Sequence, residues 1–141
     1  MAALVHARVV DVEIDMAAAV RLVSGPACGA IATFAGVVRD HDHGRRVVEL
    51  EYVAHDSADR VIGEIAGSVA ERHVHLTALA VVHRAGLLRV GGIAVVVATA
   101  SVHRADALLA CSEAIEEVKK RLPVWKRQVF ADGTEEWVNC S

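Results

Sequence analysis

The sequence predicts an α+β fold with three helices and a mixed or antiparallel sheet, in a single domain over residues 1–141. Three observations predict it. Only three stretches place apolar residues at the 3.6-residue helical period. Two runs, "LTALAVVHR" (76–84) and "IAVVVATAS" (93–101), are apolar almost throughout and are joined by the short "AGLLRVGG". Turn-forming clusters, "DHDHGRR" at 40–46 and "ADGT" at 131–134, stand directly between strand-like segments. Helices do not follow every strand, which argues against a doubly wound parallel sheet.

In chain order, "LVHARVVDVEI" (4–14) alternates as a strand does, and Asp15 is placed to N-cap the short helix "MAAAVRLV" (16–23). "SGPACG" breaks the chain. "AIATFAGVVR" (30–39) and "VVELEYVA" (47–54) then read as two strands of a hairpin, with "DHDHGRR" as its solvated tip. From Asp56 to about His73, the spacing of Ala58, Val61, Ile62, Ile65 and Val69 predicts an amphipathic helix capped by Asp56 or Ser57. The two apolar strands form the core centre, in a sheet covered on one face by helices.

The last helix, "RADALLACSEAIEEVKKR" (104–121), is expected to bury Ala107, Leu108, Cys111, Ile115 and Val118 in one stripe, with Leu122 just beyond it. Pro123 must end it, because its ring clashes with the carbonyl of Lys119 and drives Leu122 out of the α region. "VWKRQVFADGTEEWVN" follows as two short strands. The expected order is β-α-β-β-α-β-β-α-β-β.

Composition narrows the functions. An apolar fraction of 54% with only two prolines argues against disorder, and no uncharged apolar run reaches the roughly 18 residues that cross a bilayer. The start, "MAALVHARVV", has no secretory-signal pattern, so the cytoplasm is the expected location. Cys28, Cys111 and Cys140 are odd in number and widely spaced, and read as reduced thiols rather than a disulfide or zinc framework. A net charge of −3 offers no general attraction to nucleic acid or anionic membrane, and neither is expected as a partner. An anion would have to meet a local cation cluster.

"KKRLPVWKRQ" (119–128) supplies one. Cations at the end of a helix complement its dipole, which accounts for Lys119, Lys120 and Arg121 at about 0.3–1 kcal/mol. It does not account for Lys126 and Arg127, beyond the break. Two lysines on either side of a rigid "PVW" element make an anion pocket, and a lysine pressed against another cation and Trp125 is suited to act as base or nucleophile. Core packing, or stacking against a neighbouring lysine, is the plainer reading of Trp125.

Other signals are weaker. His103 and Arg104 fall at the start of the last helix, where free N–H groups favour phosphate or carboxylate, though a backbone-bonded structural histidine is the commoner outcome. Arg39 ends a strand, and His83-Arg84 is a second such pair, read as structural. Asp40 with "HDH" (41–43) invites a metal, but one exposed loop rarely completes a site, and no metal is assigned; His73 and His75 are read the same way. No phosphate loop, dinucleotide fingerprint or hydrolase triad is present, and no cofactor is expected.

Taken together, "GAIATFAGVVRDHDHGRRVVELEY", "HRAGLLRVGG", "SVHRADALLACSEAIEEVKKRLPVWKRQ" and "DGTEEWV" resemble the large, catalytic subunit of molybdopterin synthase. The likeness runs from about Gly29 to Val138. Its most specific pieces are F-x-G-x-V-R ending at Arg39, the pair His103-Arg104, and K-x-x-x-P-x-W-K from Lys119 to Lys126. The resemblance implies a hammerhead-like fold with a small β subdomain. It implies sulfur transfer from the thiocarboxylated C-terminus of a small ubiquitin-like subunit to cyclic pyranopterin monophosphate, forming the dithiolene of molybdopterin. It also implies a homodimer of large subunits with a small subunit at each far end.

By the same resemblance Lys119 is the base or transient nucleophile and Lys126 its charge-stabilising partner. Arg39, His103 and Arg104 bind the cyclic phosphate and pterin, with Val37 and Val38 contributing backbone, and Arg127 and Gln128 line the pocket's edge. The chain departs from the family pattern at Val53, His55, Ala58, Gly92 and Gln128, the last in place of a Glu. These departures bear on the edge of the pocket. Two rival readings are a non-catalytic dimer that docks a ubiquitin-like tail in the same basic pocket, and a metal-binding domain using the His-rich loop.

Overall fold

A computed structural model describes residues 2–139. The elements are β1 (Leu4–Val10), α1 (Met16–Val23), β2 (Ala30–Val37), β3 (His41–Asp42), β4 (Arg45–Ala54), α2 (Ala58–Arg72), β5 (Leu76–Arg84), β6 (Gly86–Arg89), β7 (Ile93–Ser101), α3 (Arg104–Arg121), β8 (Val124–Phe130) and β9 (Glu135–Asn139). Three helices and two sheets make the fold α+β, as expected. The predicted strands and helices all exist, and two short strands, β3 and β6, join them.

The first sheet has the order β1-β5-β7-β2, with β1 parallel to β5 and the other pairs antiparallel. The second has the order β3-β4-β8-β9, with β6 also pairing β4. The hairpin expected between "AIATFAGVVR" and "VVELEYVA" does not form. β2 instead pairs with β7 along Ala30–Val37, and β4 pairs with β8 and β6 in the other sheet. Strand pairing is a non-local choice that composition cannot specify, and the uniformly apolar β7 is the better partner for β2. What remains of the hairpin is its tip, where β3 pairs Arg45 and Arg46 across His43 and Gly44, both at positive φ.

The first sheet is covered on both faces, not one. Leu79, Val81 and Val97 pack under α2 and α3 with Ile62, Ile65, Val69 and Ala114, while Ala80, Val96 and Ala98 face Ala19 and Val23 of α1. Asp15 caps α1 as expected, accepting from the Ala17 N–H at 2.9 Å. In α3 the buried stripe is Ala107, Ala110, Cys111, Ala114 and Val118. Leu108 is a correction, being 60% exposed: small alanines at 107, 110 and 114 let the helix sit close to β2 and β7 and turn Leu108 to solvent. Cys28 and Cys111 are free thiols, and Cys140 lies outside the described residues.

Candidate active site

Pro123 ends α3 where the sequence placed the end. Leu122 is extended (φ −69°, ψ 122°) and buried, and the Pro123 carbonyl accepts from the His55 N–H at 3.0 Å, which ties the bend to the end of β4. β8 then runs antiparallel to β4, with Lys126 opposite Tyr52 and Gln128 opposite Leu50. Lys119, in the last turn of α3, and Lys126, on β8, therefore come to one cavity of about 190 Å³ at the seam of the two sheets. Its walls include Gly36, Val37 and Val38 at the end of β2, Tyr52 of β4, and Gln128. Arg39 and His41 stand at its edge.

Several expectations place here. Arg39, Lys119, Lys126, Val37, Val38 and Gln128 all line the cavity. Val38 offers less backbone than expected, since its N–H is donated to the Gly92 carbonyl and its carbonyl accepts from Gly91, both at 2.9 Å. Gln128 is buried and donates its side-chain amide to Asp42 Oδ2 at 2.7 Å; Arg39 donates to Asp42 Oδ1 at 3.4 Å. The Gln128 hydrogen bond, aided by the charges of His43, Lys126 and Arg39, holds the Asp42 carboxyl below the usual aspartate range against the opposing effect of burial. The "HDH" tip is thus only partly solvated: Asp42 turns inward while His41 and His43 stay exposed.

Others do not. Arg127 is a correction: strand alternation sends it to the outer face of the second sheet, away from Lys126 and Gln128. There it pairs with Glu51 at 3.0 Å and Glu135 at 2.9 Å, with Glu49 at 4.0 Å. Trp125 shares that face, neither core nor stacked on a lysine, and meets His55 edge-on at 6.5 Å. His103 and Arg104 sit at the N-terminal end of α3, both exposed, and one chain by itself does not bring them to the lysine cavity. Fifteen residues of helix put Arg104 about 22 Å from the Lys119 turn, beyond side-chain reach of the same cavity.

Sequence reasoning missed Asp42, Tyr52 and His83 as neighbours of the lysines. His83 is buried, as its structural reading required, and its Nδ1–H donates to the Arg84 carbonyl at 2.9 Å. Burial above all lowers its pKa to about 4, against the opposing Arg84 bond, and the nearby Lys119 charge adds to the lowering. A signal for the parity of Lys126, Arg127 and Gln128 was available in "VWKRQVF" itself, once it was read as a strand with Val124 and Phe130 inward.

A wider, open depression of about 860 Å³ lies next to this cavity and shares His41 with it. Of its arginines, Arg45, Arg46 and Arg89, the first is already paired with Asp132 and stacked on Phe130, whereas the smaller cavity brings together lysines from two different elements. Convergence, not volume, marks the site.

Fold and cavity together place the chain among two-sheet α+β proteins, with a lysine-paired cavity of its own at the seam between the sheets. The family model described as "MoaE protein" matches residues 9–121, and the chain belongs to that family. It is 46% identical over 125 residues to the "Molybdopterin synthase catalytic subunit" of Oryza sativa subsp. indica, covering 88% of this chain and 64% of that one. With the Arabidopsis thaliana protein of the same description the identity is 40%, covering 86% and 61%. This chain thus spans a little under two thirds of the length of those relatives. The solved structure described as molybdopterin synthase from Staphylococcus aureus superposes with a TM-score of 0.88 at 30% identity, covering 94% of this chain and 96% of that one.

Proposed function

We propose that this chain is the catalytic subunit of a molybdopterin synthase. It transfers sulfur from the thiocarboxylated C-terminus of a small ubiquitin-like subunit to cyclic pyranopterin monophosphate, and works in the cytoplasm. The observation that carries the reading is the convergence of Lys119 and Lys126 on one cavity with Arg39 at its edge. Among the described residues no helix is long and apolar enough to cross a membrane.

The cavity suits that chemistry. Sulfur replaces oxygen at a substrate carbon, so negative charge builds on the departing oxygen while an anionic tail is held nearby. Lys119 acts as base or transient nucleophile, and Lys126 holds the developing charge in a partly dry site. Arg39, with its guanidinium largely exposed, receives the cyclic phosphate. Val37 and Val38 shape the wall, and Gln128 acts through Asp42. His103 and Arg104, out of reach of the cavity of their own chain, take part from the second copy of a homodimer, the assembly that the family resemblance implies. Arg127 stays outside the cavity.

Lys119→Ala tests this. The variant is expected to fold normally, still bind the thiocarboxylated small subunit, and yield no molybdopterin from cyclic pyranopterin monophosphate. Wild-type turnover in Lys119→Ala would overturn the assignment.

A further inference from the structure

Asp42 is the acid of a cation-lined site. The residues lining the cavity include Arg39, Lys119, Lys126 and His41 but no carboxylate, and Asp42 stands behind Gln128 and Arg39. Its side chain is 16% exposed, against 63% for His41 and 82% for His43 on either side. The hairpin tip therefore directs one side chain inward and leaves its two neighbours in water.

The two bonds to Asp42 are unequal. Gln128, 3% exposed, donates to Oδ2 at 2.7 Å, a short bond between groups that have little freedom to move. Arg39, with 65% of its side chain exposed, donates to Oδ1 at 3.4 Å, close to the outer limit of a hydrogen bond. One oxygen anchors the carboxylate and the other keeps a loose hold on the guanidinium. A guanidinium binds an incoming phosphate or carboxylate through its fork, so an anionic guest competes with Asp42 for the same donors.

We propose that Asp42 is a positioning residue of this cavity: fixed by Gln128, it aims Arg39 at the rim and yields that guanidinium to the anionic guest. This deepens the reading above and rests on it for the guest's identity, though not for the exchange itself. The charges around Asp42 are His43 beside it on the hairpin, Lys126 on β8 and Arg39 just beyond β2, while the neighbouring His41 pairs with Asp40. Lys119 faces the same cavity from α3, and Glu136 stands opposite Gln128 on β9.

A carboxylate at this place both orients Arg39 and repels a second anion. Removing its charge alone, as in Asp42→Asn, lets an anion bind more tightly in the ground state and leaves Arg39 held only by a neutral amide oxygen, a weaker partner for a guanidinium than a carboxylate. The expected result with thiocarboxylated small subunit and cyclic pyranopterin monophosphate is a kcat lower by about tenfold together with a KM lower by about threefold. A merely structural defect would not lower both. The double variant Asp42→Asn with Gln128→Glu moves the carboxylate to the other end of the same hydrogen bond, and is expected to return both constants toward wild type. Gln128→Met keeps the acid but frees it, and is expected to lower kcat without lowering KM.

A second arm needs no sulfur transfer. Inorganic phosphate, titrated into the chain alone and followed at the Arg39 Nε–H by NMR, is expected to bind Asp42→Asn about threefold more tightly than wild type, and the double variant like wild type. Equal phosphate affinities in wild type and folded Asp42→Asn would overturn the proposal, as would unchanged kcat and KM. If the wild-type protein makes no molybdopterin, the functional reading fails, and the phosphate arm decides this inference by itself.

Discussion

The imidazole of His83 meets the ring of Tyr52 edge-on, with centroids 4.9 Å apart and planes at 86°. Tyr52 in turn lies across from Lys126 and lines the lysine cavity, so a buried, neutral histidine underlies the candidate site.

That burial makes stability depend on pH. The folded-state pKa of about 4 lies below the ordinary 6.5, so between those values the unfolded chain binds a proton that the folded chain refuses. His83's contribution is complete above about pH 6.5 and is lost as pH falls toward 4. It amounts to about 3 kcal/mol across that window. Denaturant unfolding at pH 7 and pH 4.5 is expected to show this loss in wild type and a clearly smaller one in His83→Gln. Equal pH slopes would rule out His83 as the source. Asp42 and Glu113, whose carboxyls are held below their ordinary values of 3.8 and 4.5, add losses at the acid end of this range, and these are common to wild type and His83→Gln, so the difference between the two proteins isolates the histidine.

Gly29 lets β2 begin flush against the β7–α3 connection. A Cβ there would lie 2.2 Å from the Val102 carbonyl oxygen, while the Gly29 N–H donates to Ser101 at 2.9 Å. Gly29→Ala is expected to cost about 2 kcal/mol or more. Gly63, inside α2 with nothing within 4 Å of an added Cβ, is the control, and Gly63→Ala is expected to stabilise by about 0.5–1 kcal/mol. Urea midpoints of the two variants should move in opposite directions.

Thr99 is fully buried in β7 and donates its hydroxyl to the Ala107 carbonyl of α3 at 2.6 Å. Thr99→Val keeps the volume and removes the donor. The expected loss is about 1–2 kcal/mol, read from thermal unfolding, with the fold unchanged by circular dichroism. No loss would mean the bond adds nothing to docking of α3 on the sheet.

Strand parity separates Lys126 from Arg127. Lys126→Met is expected to reduce molybdopterin formation by about a hundredfold or more, whereas Arg127→Met leaves turnover within about twofold of wild type. A larger catalytic effect at Arg127 than at Lys126 would reverse the placement of the two side chains.

Much of the framework was legible in local sequence. The Asp15 cap, the Pro123 stop and the "ADGT" turn, with Gly133 at φ 86°, depend on residues within a few positions of one another. The F-x-G-x-V-R and K-x-x-x-P-x-W-K patterns are local and pick out Arg39, Lys119 and Lys126, three cations that line one cavity. The alternation within β8 is equally local, and it separates Arg127 from the pocket.

The rest depended on contacts between distant segments. Whether β2 pairs with β4 or with β7 turns on hydrogen-bonding edges and packing surfaces that exist only once the sheet is assembled. Gln128 read as a lost acid; only the fold shows Asp42, 86 residues away, bringing a carboxylate to the same amide. His103 and Arg104 followed the right motif, yet the rigid length of α3 carries them away from Lys119. By itself the sequence determined the three helices and seven of the strands and where they stop, because capping, proline sterics and periodicity act over a few residues. Tertiary structure decided which of the cations meet, because pairing and facing depend on the non-local burial of apolar surface.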